Sequence, residues 1–188
     1  MQKIETERLI LREWTLDDVS DQVEGLGNFE TAKNLVTPFP YTRDDSVAYI
    51  TKCGKNDGEH YAFAVELKET GKVIGGTSLD LRNGKYGGGI WLNEKYTGKG
   101  YGTEVWVARA KFAFEELGVD EIENGFFEFN NRSRHMQEKV GYKIVGKKMN
   151  FCPALNSEVV EVLTTLSKED FEKYLKSKKF AYKMLNRK

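Results

Sequence analysis

The chain has 188 residues, 39% hydrophobic and 12% aromatic, which suits one folded domain with its own core and excludes a disordered protein. Its 29 basic and 29 acidic residues cancel, so a nucleic-acid binder, which would carry a basic surface, is not expected. No apolar run approaches 18 residues and the first residues lack a signal-type segment, so we expect a cytoplasmic protein with no membrane partner.

The first half of the chain is expected to contain one strand, three helices and then three antiparallel strands. A strand is predicted over 8–12, and helices over 17–26, 28–36 and from 42 to about 54, with Thr15 and Thr42 as caps. Two prolines demand an extended loop over 37–41. The strands are predicted over 61–67, 72–81 and 86–92, with a tight turn at Asn83-Gly84 because these residues tolerate positive φ.

The second half alternates helices and strands. Helices are predicted over 103–117 and 133–140, ended by Gly118 and Gly141, and strands over 121–129, 142–149 and 159–166. Ser167 opens a last helix, and the basic segment 176–188 is expected to be a solvated tail or helix end. Without a linker or repeat, residues 1–188 are predicted to be a single domain of the α/β (α+β) class with strands of mixed direction.

The most informative feature is a glycine loop, Thr97-Gly-Lys-Gly-Tyr-Gly-Thr103, which lies between the strand 86–92 and a long helix. Glycine lets the backbone approach a ligand closely because it has no Cβ. The first N–H groups of a helix lack partners inside it, and the helix dipole favours negative charge there. The loop therefore predicts a site for a phosphate or diphosphate group.

Two other phosphate-binding motifs fit less well. A dinucleotide-binding loop needs a third glycine where Thr103 stands, and it belongs to a parallel sheet that the preceding antiparallel strands contradict. A nucleotide P-loop needs Gly-Lys-Ser/Thr, whereas Lys99 is followed by Gly100. Cys53 and Cys152 form neither a CxxC pair nor a disulfide framework, and we expect no metal.

The sequence resembles the GCN5-related N-acetyltransferases (GNAT), in particular the branch of ribosomal-protein N-terminal acetyltransferases. The resemblance rests on Trp91-Leu92, on the loop 97–102, on 130–133 (Asn-Asn-Arg-Ser) and on 138–142 (Glu-Lys-Val-Gly-Tyr). It implies a mostly antiparallel mixed sheet in which two central parallel strands, 86–92 and 121–129, splay apart. It also implies acetyl transfer from acetyl-coenzyme A (acetyl-CoA) to an amine acceptor, either a protein N-terminus or a small molecule.

The resemblance further implies which residues bind the cosubstrate. They comprise the main chain near the splayed strands, the glycine loop and the start of the next helix: Trp91, Leu92, Thr97, Gly98, Lys99, Gly100, Tyr101, Gly102, Thr103, Asn130 and Ser133. Thr97 stands where the family usually has Arg or Gln, so a side-chain contact near the phosphates is expected to be lost. Gln137 stands where many members have a Tyr as general acid, which leaves Ser133, with Asn130, as the expected catalytic residues. Both also suit a plain helix cap.

The acceptor side is less defined by the sequence. In the related branch the loop 37–41 lines the acceptor pocket, so Phe39 and Tyr41 are expected to bound the amine. Several acids near strand ends leave the general base open: Asp80, Glu94, Glu128 and Glu158. The departures at Thr97 and Gln137 leave a second hypothesis open, a catalytically weak sensor that only binds CoA. The number of Phe and Trp residues is compatible with a homodimer.

Overall fold

Ten strands and six helices make up the residues described by this computed structural model, which are 3–53, 56–178 and 183–184. The strands are β1 (Lys3–Glu5), β2 (Leu9–Arg12), β3 (His60–Leu67), β4 (Val73–Arg82), β5 (Lys85–Gly87), β6 (Ile90–Leu92), β7 (Glu121–Phe127), β8 (Lys143–Cys152), β9 (Ser157–Ser167) and β10 (Lys183–Met184). The helices are α1 (Val19–Leu26), α2 (Phe29–Ala32), α3 (Arg43–Cys53), α4 (Tyr101–Lys111), α5 (Asn131–Val140) and α6 (Lys168–Lys178).

The strands form one mixed sheet in the order β10-β1-β2-β3-β4-β5-β7-β9-β8, and β6 pairs only with β4. All pairs are antiparallel except β5 with β7, where Tyr86 lies opposite Ile122 and Gly87 opposite Glu123. The predicted class, a mostly antiparallel sheet with a central parallel pair, is thereby confirmed. No helix in the described part of the chain has the length and apolar character needed to cross a membrane.

The predicted strand 86–92 is wrong as one continuous strand, because it breaks at Gly88-Gly89. A Cβ at Gly88 would lie 2.2 Å from the carbonyl oxygen of Ser78 on β4, so the chain can pass this point only as glycine. Beyond the break β6 continues along β4, with Trp91 opposite Gly76, and no longer pairs with β7. The break therefore opens the central parallel pair.

Helices cover both faces of the sheet. Neighbouring residues of a strand point to opposite faces, so they pack in different cores. Phe63 and Val65 of β3 pack in a large core with Trp106 of α4 and Val140 of α5. Ala62 and Ala64 pack on the other side, in a smaller core with Val19 of α1 and Ile50 of α3. The glycine loop and α5 therefore lie on one face, and α1 and α3 on the other.

Several boundaries differ from those predicted. The helix expected over 28–36 is a single turn, Phe29–Ala32, capped by the side chain of Asn28. The helix expected over 103–117 begins at Tyr101, and its last part, Phe112–Glu116, is a π-helical turn. Gly118 and Gly141, which were predicted to end helices, both have the left-handed conformation, with φ of +69° and +108°.

Two short strands near the ends of the chain, β1 and β10, were absent from the prediction, and they pair through Ile4 and Met184. Residues 183–184 therefore belong to the sheet rather than to a solvated tail. The rest of the predicted tail beyond residue 178 lies outside the described residues, as does the predicted end of the third helix near 54. Cys152 is a buried free cysteine, which agrees with the prediction for that residue.

Candidate active site

The split between β6 and β7 carries two cavities that meet. One, of about 320 Å³, lies on the α4–α5 face and is called the loop cavity below. The other, of about 620 Å³, lies on the α1–α3 face and is called the acceptor cavity. Both share the residues that border the split: Asn34, Leu35, Gly89, Ile90, Trp91, Asn124, Gly125 and Phe126. A ligand in one cavity can therefore reach a ligand in the other through the gap in the sheet.

The loop cavity brings together nine of the eleven residues expected to bind the cosubstrate: Trp91, Leu92, Thr97, Gly98, Gly100, Gly102, Thr103, Asn130 and Ser133. Lys99 and Tyr101 belong to the same loop but do not line the cavity. The ammonium of Lys99 lies over the ring of Tyr96, and the ring of Tyr101 lies under the guanidinium of Arg8.

The glycine loop presents a row of free amides. Thr97 N–H donates to Glu94 O, and the next backbone bond along the chain is that from Glu104 N–H to Gly100 O, at 3.2 Å. Within the described part of the structure, the amides of 98–103 donate no hydrogen bond. Gly98 and Gly100 have φ of +75° and +84°, a region that L residues enter only with strain, so glycine is required for this path. Free amides at a helix start suit a diphosphate.

A partly buried ion pair between Arg8 and Glu104 supports the glycine loop on its inner side. The side chain of Glu104, on the first turn of α4, is only 6% exposed, and it accepts from Arg8 N–H and Arg8 Nε, both at 2.8 Å. Arg8 Nη1 in turn donates to the carbonyl of Lys99 at 2.9 Å. In a trans peptide the C=O and the next N–H point in opposite directions. Arg8 therefore turns the Gly100 N–H away from itself, and its charge balances the Glu104 carboxylate behind the free amides. This role was not predicted for Arg8.

The side chain of Thr97, in the position where Arg or Gln was expected, is turned back on its own loop. Its hydroxyl donates to Glu94 O at 2.9 Å. Glu94 itself pairs across the loop cavity with Arg132 of α5, at 2.9 Å, and this contact lowers the pKa of Glu94 despite partial burial. The pair joins the two walls of the cavity through side chains that are largely open to water, so its stabilising effect is small.

Asn130 and Ser133 form the start of α5. The carbonyl of the Asn130 side chain accepts from Ser133 N–H at 3.0 Å, so the cap expected from the sequence is present. Ser133 Oγ accepts from Gln137 Nε2, also at 3.0 Å, and Gln137 is 1% exposed. Thr164 Oγ1 donates to Gln137 Oε1, which fixes the orientation of the amide. Because Ser133 Oγ already accepts one bond, its own proton is free to be donated into the loop cavity.

Of the two residues expected at the acceptor, only Tyr41 lines the acceptor cavity. Tyr41 is buried, and its hydroxyl donates to Gln22 at 3.3 Å. Phe39 lines neither cavity; its ring packs edge-on against that of Phe29, with centroids 6.0 Å apart.

The four acids that the sequence offers as general base lie in different parts of the structure. Asp80 lines the acceptor cavity, where it contacts His60 and pairs with Arg82 at 3.0 Å. Glu94 lines the loop cavity, whereas Glu128 and Glu158 are exposed and line neither. Glu161, which no sequence pattern singles out, also lines the acceptor cavity. The described residues contain no group of three His, Cys, Asp or Glu placed to hold a metal ion.

Comparison with known proteins identifies the family of the chain. A family model described as the acetyltransferase (GNAT) domain matches residues 8–143. An uncharacterized, SPbeta prophage-derived N-acetyltransferase of Bacillus subtilis, YokL, is 27% identical over 93 residues, which is 50% of this chain and 52% of the relative. The match thus spans about half the length of that curated relative.

Solved structures share the whole fold. A GNAT-family acetyltransferase from Bacillus anthracis superposes with a TM-score of 0.77 and 25% identity, covering 89% of this chain and 99% of its own. Mycobacterium smegmatis RimJ in complex with CoA-disulfide superposes with a TM-score of 0.79 and 15% identity, covering 93% of each chain. At that identity the second likeness concerns the fold alone.

Proposed function

The chain belongs to the GNAT acetyltransferase family, and from that premise we propose that it transfers an acetyl group from acetyl-CoA, the cosubstrate of the family, to a primary amine in the acceptor cavity. The observation that carries this proposal is the meeting of the two cavities at the split between β6 and β7. A cosubstrate held on one face of the sheet and an amine on the other would meet there in line. Such positioning supplies a large part of the acceleration in acyl transfer.

The residues of the loop cavity fit acetyl-CoA. The free amides of 98–103 would hold its diphosphate, since they carry partial positive charge and Arg8 balances the carboxylate behind them. The edge of β6 that faces away from β4 would hydrogen-bond the pantetheine arm, because β6 has no second strand partner among the described residues. The same edge places N–H donors near the split, where they can stabilise charge on the acetyl oxygen.

Ser133 would donate its proton to the leaving sulfur. The hydrogen bond from Gln137 leaves the Ser133 hydroxyl as a donor toward the cavity, and Asn130 holds the turn from which it projects. Gln137 therefore takes a positioning role in the place where related proteins carry a Tyr. Thioester cleavage needs only this modest assistance, because the acyl group in acetyl-CoA is already activated.

A thiol-release assay tests the proposal. Purified protein is mixed with acetyl-CoA and, separately, ethylamine, spermidine and short peptides with N-terminal serine or alanine, and free thiol is followed over time. We expect release well above the uncatalysed rate for at least one acceptor, and the accepted compounds define the substrate class. Tight CoA binding without turnover on any acceptor would instead favour the sensor hypothesis.

The site of diphosphate binding is tested with Gly100→Glu. A Cβ at Gly100 would lie 3.4 Å from Arg8 Nη2, so the new carboxylate adds negative charge to the loop 97–103 and competes for the cation behind it. Both effects oppose a bound diphosphate, and we expect CoA affinity, measured by calorimetry, to fall at least tenfold. Gly118→Glu is the matched control: Gly118 also has positive φ, is exposed and has no atom within 4 Å of an added Cβ. Both variants carry about 1–2 kcal/mol of left-handed strain, so a difference in CoA affinity reports on the site. Equal affinities would place the diphosphate elsewhere.

A further inference from the structure

The carboxylate of Glu161 stands at the point where the two cavities meet. Glu161 and Gly125 lie on β9 and β7, in the same antiparallel pair, on the face toward the acceptor cavity. Glu161 Oε1 would be 2.3 Å from a Cβ built on Gly125, so it occupies the space that the missing side chain leaves. Gly125 borders both cavities. One oxygen of Glu161 therefore covers the edge of the split from the acceptor side.

The two oxygens of this carboxylate have different surroundings. Oε2 accepts from Asn150 Nδ2 at 2.8 Å and lies 3.3 Å from Lys148 Nζ, both on β8. Oε1 has no hydrogen-bond partner among the described residues. The side chain is 18% exposed. Oε2 anchors it to β8, and Oε1 faces the cavity. A carboxylate held in this way is placed to accept a proton or to bind an ammonium group.

The other carboxylates of the acceptor cavity are already engaged or remote. Asp80 contacts His60 with one oxygen and accepts from Arg82 and Ser78 with the other. Asp45 is tied to the cap of α3, and the side chain of Glu123 is 52% exposed and lies 3.4 Å from Lys85. Glu161 is therefore the carboxylate that combines a free oxygen with a position at the split.

On the basis of the proposed function, we propose that Glu161 is the general base for the amine. The amine arrives as an ammonium ion with three protons on nitrogen, and Glu161 Oε1 takes one and passes it to solvent. The nitrogen lone pair then forms the N–C bond to the acetyl carbon. The C–S bond breaks, and the electron pair of that bond leaves with sulfur. Ser133 gives its hydroxyl proton to this sulfur and regains one from the nitrogen. One proton stays on the amide product.

The test compares Glu161→Gln with Glu158→Gln, using the acceptor from the thiol-release panel that has the highest kcat/KM. Glu158 lies on the same strand but is exposed and lines neither cavity. We expect kcat/KM for the amine to fall about 100-fold or more in Glu161→Gln, the usual scale of general-base catalysis, and to change less than twofold in the control. CoA affinity, followed by tryptophan fluorescence, should stay within twofold in both variants.

Rescue separates a chemical role from a structural one. Glu161→Ala leaves a space over Gly125 that formate can fill, so we expect formate to restore part of the lost turnover, with no such effect on Glu158→Ala. Loss of turnover together with CoA affinity, without rescue, would assign Glu161 a structural role, and unchanged turnover in Glu161→Gln would also overturn the inference. If the unmodified protein releases no thiol with any acceptor, the proposed function fails first, and the role of Glu161 with it.

Discussion

Removing the two partners of the Arg8–Glu104 pair should have unequal effects on stability. Arg8→Met keeps an unbranched side chain, but it removes the guanidinium that lies over the Tyr101 ring and leaves the Glu104 carboxylate, 6% exposed, without its cation. Breaking a fully buried pair in this way costs about 3–5 kcal/mol. Glu104 keeps hydrogen bonds from Thr6 Oγ1 and Arg8 N–H, and Arg8 itself is 40% exposed, so we expect about 2 kcal/mol. Glu104→Gln frees an Arg8 that can turn to water, and should cost about 1 kcal/mol.

The same variants should separate in CoA affinity. In Arg8→Met the Lys99 carbonyl loses its donor, and an uncompensated carboxylate remains beneath the anion site, so we expect CoA affinity to fall about tenfold or more. In Glu104→Gln no unpaired carboxylate remains, and Arg8 can still donate to the Lys99 carbonyl. CoA affinity should therefore fall only about threefold.

Urea unfolding without ligand gives the stabilities, and calorimetry gives the affinities. In the double variant Arg8→Met/Glu104→Gln the buried charge is gone, so it should be more stable than Arg8→Met alone. Equal effects of the two single changes, or strictly additive ones, would refute the reasoning, since both follow from the unpaired charge.

Two further predictions concern turnover and acid stability. Ser133→Ala should lower kcat about tenfold or more with CoA affinity within twofold, and Ser133→Thr should restore part of the lost kcat because it also carries a hydroxyl. An unchanged kcat in a thiol-release assay would leave the Ser133 hydroxyl only as the hydrogen-bond acceptor of Gln137. Lys72 and Lys95, at 2.8 and 2.7 Å, lower the pKa of Glu24 from 4.5 to about 2, so this carboxylate stabilises the fold above pH 4.5 and loses that effect as the pH falls toward 2. Because the group is near the surface, Glu24→Gln should cost at most about 1 kcal/mol at pH 7, and the gap to the unmodified protein in urea unfolding should shrink below pH 4.5; a gap independent of pH would contradict the assignment.

The shape of the glycine loop and of the helix starts around the loop cavity could be predicted because it is encoded locally. The glycine loop and the helix after it are adjacent in the sequence, and positive φ at Gly98 and Gly100 follows from geometry that only glycine adopts easily. The caps at Asn130 and Gly141 are likewise local signals, and they fix where α5 begins and ends. Such features depend on residues within one or two turns of one another.

The acceptor half depends on contacts between distant parts of the chain. Glu161 becomes significant only because β9 pairs with β7 and places it over Gly125, which no local pattern indicates. Arg8 likewise acquires its role from Glu104, 96 residues away. The break at Gly88-Gly89 was not predicted, because its cause is the close approach of the Ser78 carbonyl on β4, a contact between separate strands.

The two cavities differ in the kind of group proposed to contact the ligand, main chain in one and side chains in the other. The groups proposed to hold the cosubstrate in the loop cavity are backbone amides of 98–103 and the open edge of β6, which side-chain changes elsewhere leave intact. The acceptor cavity takes its walls from side chains of α1, α3 and β9, including Gln22, Tyr49 and Leu163. Under the proposed function, substitutions in this wall should alter the shape and charge that the amine meets and should exchange one amine for another, while CoA affinity stays constant.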